Sequence, residues 1–330
     1  MSGSAAGMSS ADPYLSIVVT GRNDDFGGDF NGRFFRALRF NRDHLIRAGI
    51  AHEFVFVEWR PIQNRPYLST LLAAEFPELG NALRCYVVDA AYHDAVSLNA
   101  RLQFQEFIAK NVGIRRARGH YVLTTNTDIY LSRGVIGRLA SRSIEDGILY
   151  RAARYDLKSY SDVSHVDWSV LEDERNYDAV NVITPPLFTN ASGDFLLLDW
   201  DGYHRLRGFN EVYRVAKIHI DGNFCLKAHA SLVPLLDIGF PVYHVGRGTL
   251  HAQVGLYRHQ PADAPWGDVR WKSDVIYVNG PTWGLASAPE RRLDTCITAI
   301  DFDWNVVGPM VELGRIVSPG AVSSELEPTS

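Results

Sequence analysis

The sequence has 330 residues, with 33 Lys+Arg against 38 Asp+Glu and a formal net charge of −5. Without a basic block, that balance argues against a nucleic-acid-binding surface. A hydrophobic content of 46% with 22% charged residues belongs to a soluble globular chain, long enough for one large α/β domain or two small ones, and no apolar run approaches membrane-spanning length. Residues 1–12 are small and polar and lack the apolar core of a signal peptide, and residues 1–13 are expected to be disordered. Cys85, Cys225 and Cys296 are widely spaced, with no Cys-x-x-Cys, so a reducing, cytoplasmic setting is expected. The Asn190-Ala191-Ser192 sequon then reads as a chance match.

In chain order, residues 14–20 form a near-continuous apolar run ended by Gly21, which reads as a central parallel strand buried on both faces. The polar loop Gly21-Arg22-Asn23-Asp24-Asp25 follows. It contains neither G-x-x-x-x-G-K nor G-x-G-x-x-G, so it is neither a P-loop nor a dinucleotide fingerprint. Residues 31–48 are amphipathic and helical, and 52–58 are a second strand ending on Glu58. A short helix is expected at 68–75 and a third strand at 83–88. Strands alternating with helices at this spacing predict βαβ units and a mostly parallel sheet.

Residues 102–118 place Phe104, Phe107, Ile108, Val112 and Ile114 at helical spacing, and Gly119 supplies the stop. Residues 120–125 are a short β-rich run. At its carboxyl end, Asn126 and Asp128 lie two apart in extended chain and can converge on one object. That edge of an open α/β sheet is where ligands bind. A carboxylate with a second oxygen ligand there suits a hard divalent cation carrying phosphates. A helix at 132–140, a strand at 147–152 and a long polar, irregular stretch at 156–178 follow. The next constellation is a strand at 195–198, the turn Gly208-Phe209-Asn210-Glu211, and Asp221 ahead of a helix at 223–230. Residues 233–238 follow, and then a strand is expected at 240–245, with His244 near its end. Residues 252–316 hold Trp266, Trp271, Trp283 and Trp304 and read as an irregular extension, and 318–330 as a disordered tail.

The helix with Asn111-x-Gly113 and Ala117-x-Gly119, the apolar strand and then Asp128 together resemble the sugar-nucleotide-binding core of GT-A glycosyltransferases. The usual Asp-x-Asp stands here as Asn126-Thr127-Asp128. The resemblance spans residues 14–251 and implies a Rossmann-like, mostly parallel sheet flanked by helices, with a nucleotide-sugar half (14–131), an acceptor half (132–251) and the extension packed on the acceptor side. It implies transfer of a sugar from a nucleotide-diphosphate donor, most often a uridine one, to a hydroxyl of a glycan or small molecule, as in polysaccharide biosynthesis. Mn2+ or Mg2+ would be held by Asp128 and His244, with Asn126 and His251 as weaker candidates.

On the donor side the resemblance points to Gly21, Arg22, Asn23, Asp24, Glu58, Asn111, Arg118, Asn126, Thr127 and Asp128. On the acceptor side it points to Gly208, Phe209 and Glu211, with Asp221 as general base in an inverting reaction and Glu211 beside it as a second catalytic candidate. Each has a plain alternative: a solvated turn for Arg22 and Asp24, a strand-end acid for Glu58, a helix cap for Asp221. Arg247 stands where a second histidine of a His-x-x-His would be and could bind phosphate. Two other classes stay open, a sugar-phosphate nucleotidyltransferase and a non-catalytic binding protein on the same fold. The first normally carries a basic, glycine-rich first loop, whereas residues 21–28 contain one Arg and no Lys.

Overall fold

The computed structural model describes residues 12–100, 102–158, 166–214, 219–245 and 276–316; His251, Arg247, Trp266 and Trp271 lie outside them. Leu15–Gly21 (β1), His52–Trp59 (β2), Leu83–Val88 (β3) and Tyr121–Thr124 (β4) pair in parallel. Phe30–Arg47 (α1) and Leu68–Glu75 (α2) link the first three, and Ala90–Val96 (α3) and Glu106–Arg116 (α4) lead into the fourth. Ile129–Leu131 (β5), Arg133–Ala140 (α5), Leu149–Arg151 (β6), Arg154–Leu157 (β7), Trp168–Leu171 (α6) and Tyr177–Asn181 (β8) come next. Leu196–Asp199 (β9), Trp200–Leu206 (α7), Ile220–Ala230 (α8), Leu235–Asp237 (β10) and Val242–Val245 (β11) follow. Glu290–Arg292 (β12), Ile297–Ile300 (β13) and Trp304–Ile316 (α9) close the described chain.

Among the described residues the main sheet has nine strands in the order β10-β6-β9-β4-β1-β2-β3-β13-β12, and a second sheet runs β5-β11-β7-β8. The main sheet is mostly parallel, with β9 and β12 antiparallel to their neighbours. Strand β1 is buried along its whole length because alternate residues enter different layers. Val18, with Val55 and Val57 of β2, packs on Phe107, Ile108 and Val112 of α4. Ile17 and Val19 pack with Phe30, Phe34 and Leu38 of α1 and Leu68 and Leu72 of α2. Helices therefore cover both faces, the architecture expected from the sequence.

Two expectations are corrected. The described residues of 156–178 are not wholly irregular: they hold the end of β7, α6 and the start of β8, and so contribute to the second sheet. The extension does not pack only on the acceptor side, because β13 joins β3 in parallel and brings the hairpin β12–β13 to the edge beside the first βαβ units. Within that extension Trp283 is buried, with the Arg115 guanidinium 4.9 Å from its ring centroid.

The amino ends of β1 and β2 are locked by one buried carboxylate. Ser16 Oγ donates to Glu53 Oε1 at 2.6 Å, the Arg118 N–H donates to the same oxygen at 2.8 Å, and the Gly119 N–H donates to Ser16 Oγ at 2.8 Å. Gly119 is needed for this approach: a Cβ there would lie 2.4 Å from the Ser16 backbone nitrogen, which cannot move aside. Gly137, inside α5, has nothing within 4 Å of such a Cβ. Gly119→Ala is expected to lower unfolding stability by about 1–3 kcal/mol, and Gly137→Ala to raise it by about 0.5–1 kcal/mol. Urea unfolding of both variants checks the pair.

Candidate functional site

The site is built where β4 ends. Beyond Thr124 the chain leaves the sheet, and Asn126 reaches in two directions. Its Oδ1 accepts from Lys110 Nζ at 2.9 Å, and its Nδ2 donates to Asp194 Oδ1 at 2.6 Å. Lys110 sits on the buried face of α4, donates also to the Gly193 carbonyl at 2.9 Å, and pairs with Glu106 at 2.9 Å. Because β9 runs antiparallel to β4, the residues just before β9 lie beside the end of β4. That topology brings Ser192, Gly193 and Asp194 to Asn126.

A row of charged groups then runs into the second sheet. Arg154 donates from one terminal nitrogen to Asp194 Oδ2 at 2.6 Å and from the other to Asp156 Oδ2 at 3.1 Å. Asp156 Oδ1 faces His244 Nδ1 at 2.8 Å, and His244 Nε2 lies 3.4 Å from Asp128 Oδ2. Cross-strand register makes this possible, since β11 sits between β5 and β7 with His244 opposite Ile129 and Asp156. Burial works against charge on His244, but Asp128 and then Asp156 outweigh it and push its pKa up to about 10. Burial likewise opposes charge on Arg154, and Asp194 and Asp156 more than compensate. An arginine taken out of water needs such paired, hydrogen-bonded carboxylates.

The same donors suit a divalent cation. Asp156 behind Nδ1 orients the imidazole and leaves Nε2 as the ligating atom, the usual carboxylate–histidine–metal arrangement. Asp128 supplies a hard oxygen beside it. Among the described residues no group of three or more His, Cys, Asp or Glu side chains is placed to hold a metal, so this pair would need further ligands from substrate or water.

At the other end of the row, Asp221 lies in the first turn of α8 rather than ahead of the helix. It is not the cap: the N-cap position is His219, which makes no capping side-chain bond. Instead Asp221 Oδ2 accepts from the Gly193 N–H at 2.6 Å and Ser192 Oγ at 2.8 Å. Candidate base and candidate metal ligands are thus joined by one connected path through Gly193, Asp194, Arg154, Asp156 and His244.

On the neighbouring edge, the loop after β1 is held by Asn23, whose Nδ2 donates to the Ile62 and Pro66 carbonyls, both at 3.1 Å, and whose Oδ1 accepts from the Ile62 N–H at 2.6 Å. Arg22 donates to the Arg60 carbonyl at 2.9 Å and pairs with Asp24 at 3.3 Å. A cleft of about 450 Å³ opens here, lined by Asp24, Asp25, Asn31, Arg65, Leu68 and Leu71 among others. Gly21 packs against the Phe30 and Phe56 rings at the start of this loop. Thr127 is half-buried between Asn126 and Asp128.

Several sequence assignments are corrected. Glu58 is fully buried and faces no cleft: it accepts from the Leu68 and Ser69 N–H groups and Ser69 Oγ, all at 2.8 Å, and so ties down the start of α2. Asn111 is fully buried. Its amide donates to the Phe209 carbonyl and Glu211 Oε1 and accepts from the Phe209 N–H, clamping the turn onto α4. Gly208, Phe209 and Glu211 therefore support the core rather than line an acceptor groove. Gly208 has φ +62° and no room for a Cβ against Asn111. Arg118 lies at the opposite, amino-terminal edge of the sheet with Glu53. Lys110, Arg154, Asp156 and Asp194 went unassigned. The alternation Arg154-Tyr155-Asp156 is the signal that puts two of them on one strand face.

Solved structures with a related chain trace can now be set beside this site. The mannosyltransferase PcManGT from Pyrobaculum calidifontis, in complex with GDP-Man and Mn2+, shares 13% identity over 97% of this chain and 77% of its own, with a TM-score of 0.45. S. aureus TarS 1-349 shares 14% identity over 70% of this chain, with a TM-score of 0.38. The same TarS fragment with UDP-GlcNAc gives 15%, 72% and 0.36. This chain spans 60% of each TarS chain. No protein-family model and no curated protein matches the sequence. At such identities and scores no residue role passes from those proteins to this one.

The buried Glu211 gives the fold a pH dependence. Burial raises its pKa to about 7, against the bonds from the Gly284 N–H and Asn111. Folding thus favours its protonated form. That contribution is complete below its ordinary value of 4.5 and is lost as pH rises through about 7. Lys227 has the opposite sign: burial lowers it to about 7, so its contribution is complete above its ordinary 10.5 and is lost as pH falls through about 7. Glu211→Gln, which keeps the acceptor for Asn111 and Gly284, is expected to flatten the fall in stability between those two Glu211 values. Thermal unfolding of both proteins across that range measures it.

Proposed function

We propose that the chain is a glycosyltransferase that moves a sugar from a nucleotide-diphosphate donor, a UDP-sugar as the first choice, to a hydroxyl of a glycan or small-molecule acceptor. The observation that carries this reading is the connected path from Asp221 to Asp128. It sets one carboxylate suited to take a proton and one imidazole–carboxylate pair suited to a divalent cation on the same edge of the sheet. The edge itself is the carboxyl end of parallel strands, where open α/β sheets bind ligands.

In this reading Asp128 and His244 hold Mn2+ or Mg2+, which would supply Lewis-acid stabilisation of the departing nucleotide diphosphate. Arg65 lines the cleft after β1 together with Asp24, Asp25 and Asp29, and Arg22 stands behind it paired with Asp24, so in this reading the two guanidiniums are the groups that would meet phosphate oxygens. Asn126 is tied on both sides and cannot swing toward a ligand without breaking its bonds to Lys110 and Asp194. It therefore shapes the floor under the cation pair. Asp221 accepts the proton of the acceptor hydroxyl on Oδ1, while the Gly193 N–H and Ser192 hydroxyl fix Oδ2. General-base help of this kind is worth roughly a hundredfold or more in rate.

Calorimetric titration of UDP, with GDP for comparison and with and without Mn2+, tests the donor side. Metal-dependent UDP binding that disappears in Asp128→Ala supports the reading. Asp221→Asn is expected to keep nucleotide binding and to lower turnover of whichever donor sugar is accepted by roughly a hundredfold. Absence of nucleotide binding with and without metal would overturn it and leave a binding protein on the same architecture.

A further inference from the structure

Away from this site, two of the three cysteines meet. Cys85 lies in β3 and is buried, and Cys296 ends the turn between β12 and β13 and is half-exposed; both are free thiols. The Cys85 N–H donates to the Cys296 carbonyl at 2.7 Å, and Ile297, the next residue, is the register partner of Cys85. The two backbones are therefore hydrogen-bonded neighbours at one sheet edge, and both side chains enter the same apolar layer, Cys85 within it and Cys296 packed against it.

The pair is unequal. Interaction with the Cys85 thiol draws Cys296 down to about 7, while interaction with Cys296 and then burial hold Cys85 well above its ordinary value. An exposed thiol rich in thiolate next to a buried second thiol is the arrangement in which oxidation is captured rather than carried further. Cys225 is different: it is buried away from this pair and burial pushes its thiol up to about 11. Ser69, which holds Glu58, touches the Cys85 thiol as well. Through it the pair reaches α2, whose Leu68 and Leu71 wall the cleft.

We propose that Cys85 and Cys296 form a peroxide-responsive dithiol site that closes to an intrachain disulfide and ties the β12–β13 hairpin to β3. The Cys296 thiolate attacks one oxygen of hydrogen peroxide; an S–O bond forms, the O–O bond breaks, and hydroxide leaves. The Cys85 sulfur then attacks the sulfenic sulfur, an S–S bond forms, the S–O bond breaks, and the Cys85 proton leaves with that oxygen as water. Two thiols are oxidised to one disulfide and one peroxide is reduced to water.

The test is intact-mass and peptide mapping of the full chain after brief exposure to hydrogen peroxide, with alkylation of remaining thiols under denaturing conditions. The expected result is a loss of about 2 Da, a peptide pair linking Cys85 to Cys296, an alkylated Cys225, and full reversal by dithiothreitol. Cys296→Ser, at a half-exposed position that tolerates the change, is expected to abolish both the mass loss and the linked pair. Oxygen addition at Cys296 without a linked peptide, or both thiols still open to alkylation after peroxide, would overturn the proposal. The nucleotide titrations do not enter this test, so either reading can fail without the other.

Discussion

The Arg154 guanidinium, held between Asp194 and Asp156, is the interaction on which the site depends. It stands where the main sheet meets the second sheet: Asp156 comes from β7, and Asp194 from the turn that leads into β9. Removing the arginine would leave two buried acids facing each other; removing either acid would leave a buried cation short of a partner. Both are costly in a low-dielectric interior. The second sheet is small, and its register against the first matters because His244 and Asp128 travel with it. Arg154 therefore sets how far the cation-suited pair stands from Asp221.

Polar side chains buried elsewhere do structural work that resembles chemistry from a distance. Glu58 satisfies the orphan N–H groups at the start of α2, as any helix entry requires. Asn111 uses its whole amide to fasten the Gly208–Glu211 turn. Glu53 gathers Ser16 and Arg118 at the amino ends of the strands. Each is a carboxylate or amide with its hydrogen-bonding capacity filled by backbone and neighbours, which is what burial of such groups demands.

The architecture was legible because it rests on local pattern. The apolar runs of β1 and β2 and the stripe of α4 are visible without any tertiary knowledge, and so is the polar break at Asn126-Thr127-Asp128. Asp221 was legible as a residue but not in its setting, since whether it capped its own helix or met Gly193 depends on the fold. Glu58 and Glu211 were misread for a related reason. A carboxylate after a strand or in a glycine turn looks the same in sequence whether it faces a ligand or a backbone N–H. Arg154, Asp156 and Lys110 stayed hidden because the contacts that join them to the site, Arg154 to Asp194, Asp156 to His244 and Lys110 to Asn126 and Gly193, span 16 to 88 residues of sequence. The second sheet, with its short strands, gave too few residues for a period to show.

The hairpin at the far edge has one more consequence. Glu290, Arg291 and Arg292 of β12 are all exposed and charged, and a charged rim discourages another strand from docking alongside. The opposite border, β10, presents Leu236 to solvent instead. Among the described residues the two borders of the sheet thus differ in character, wholly charged along one flank and partly apolar along the other.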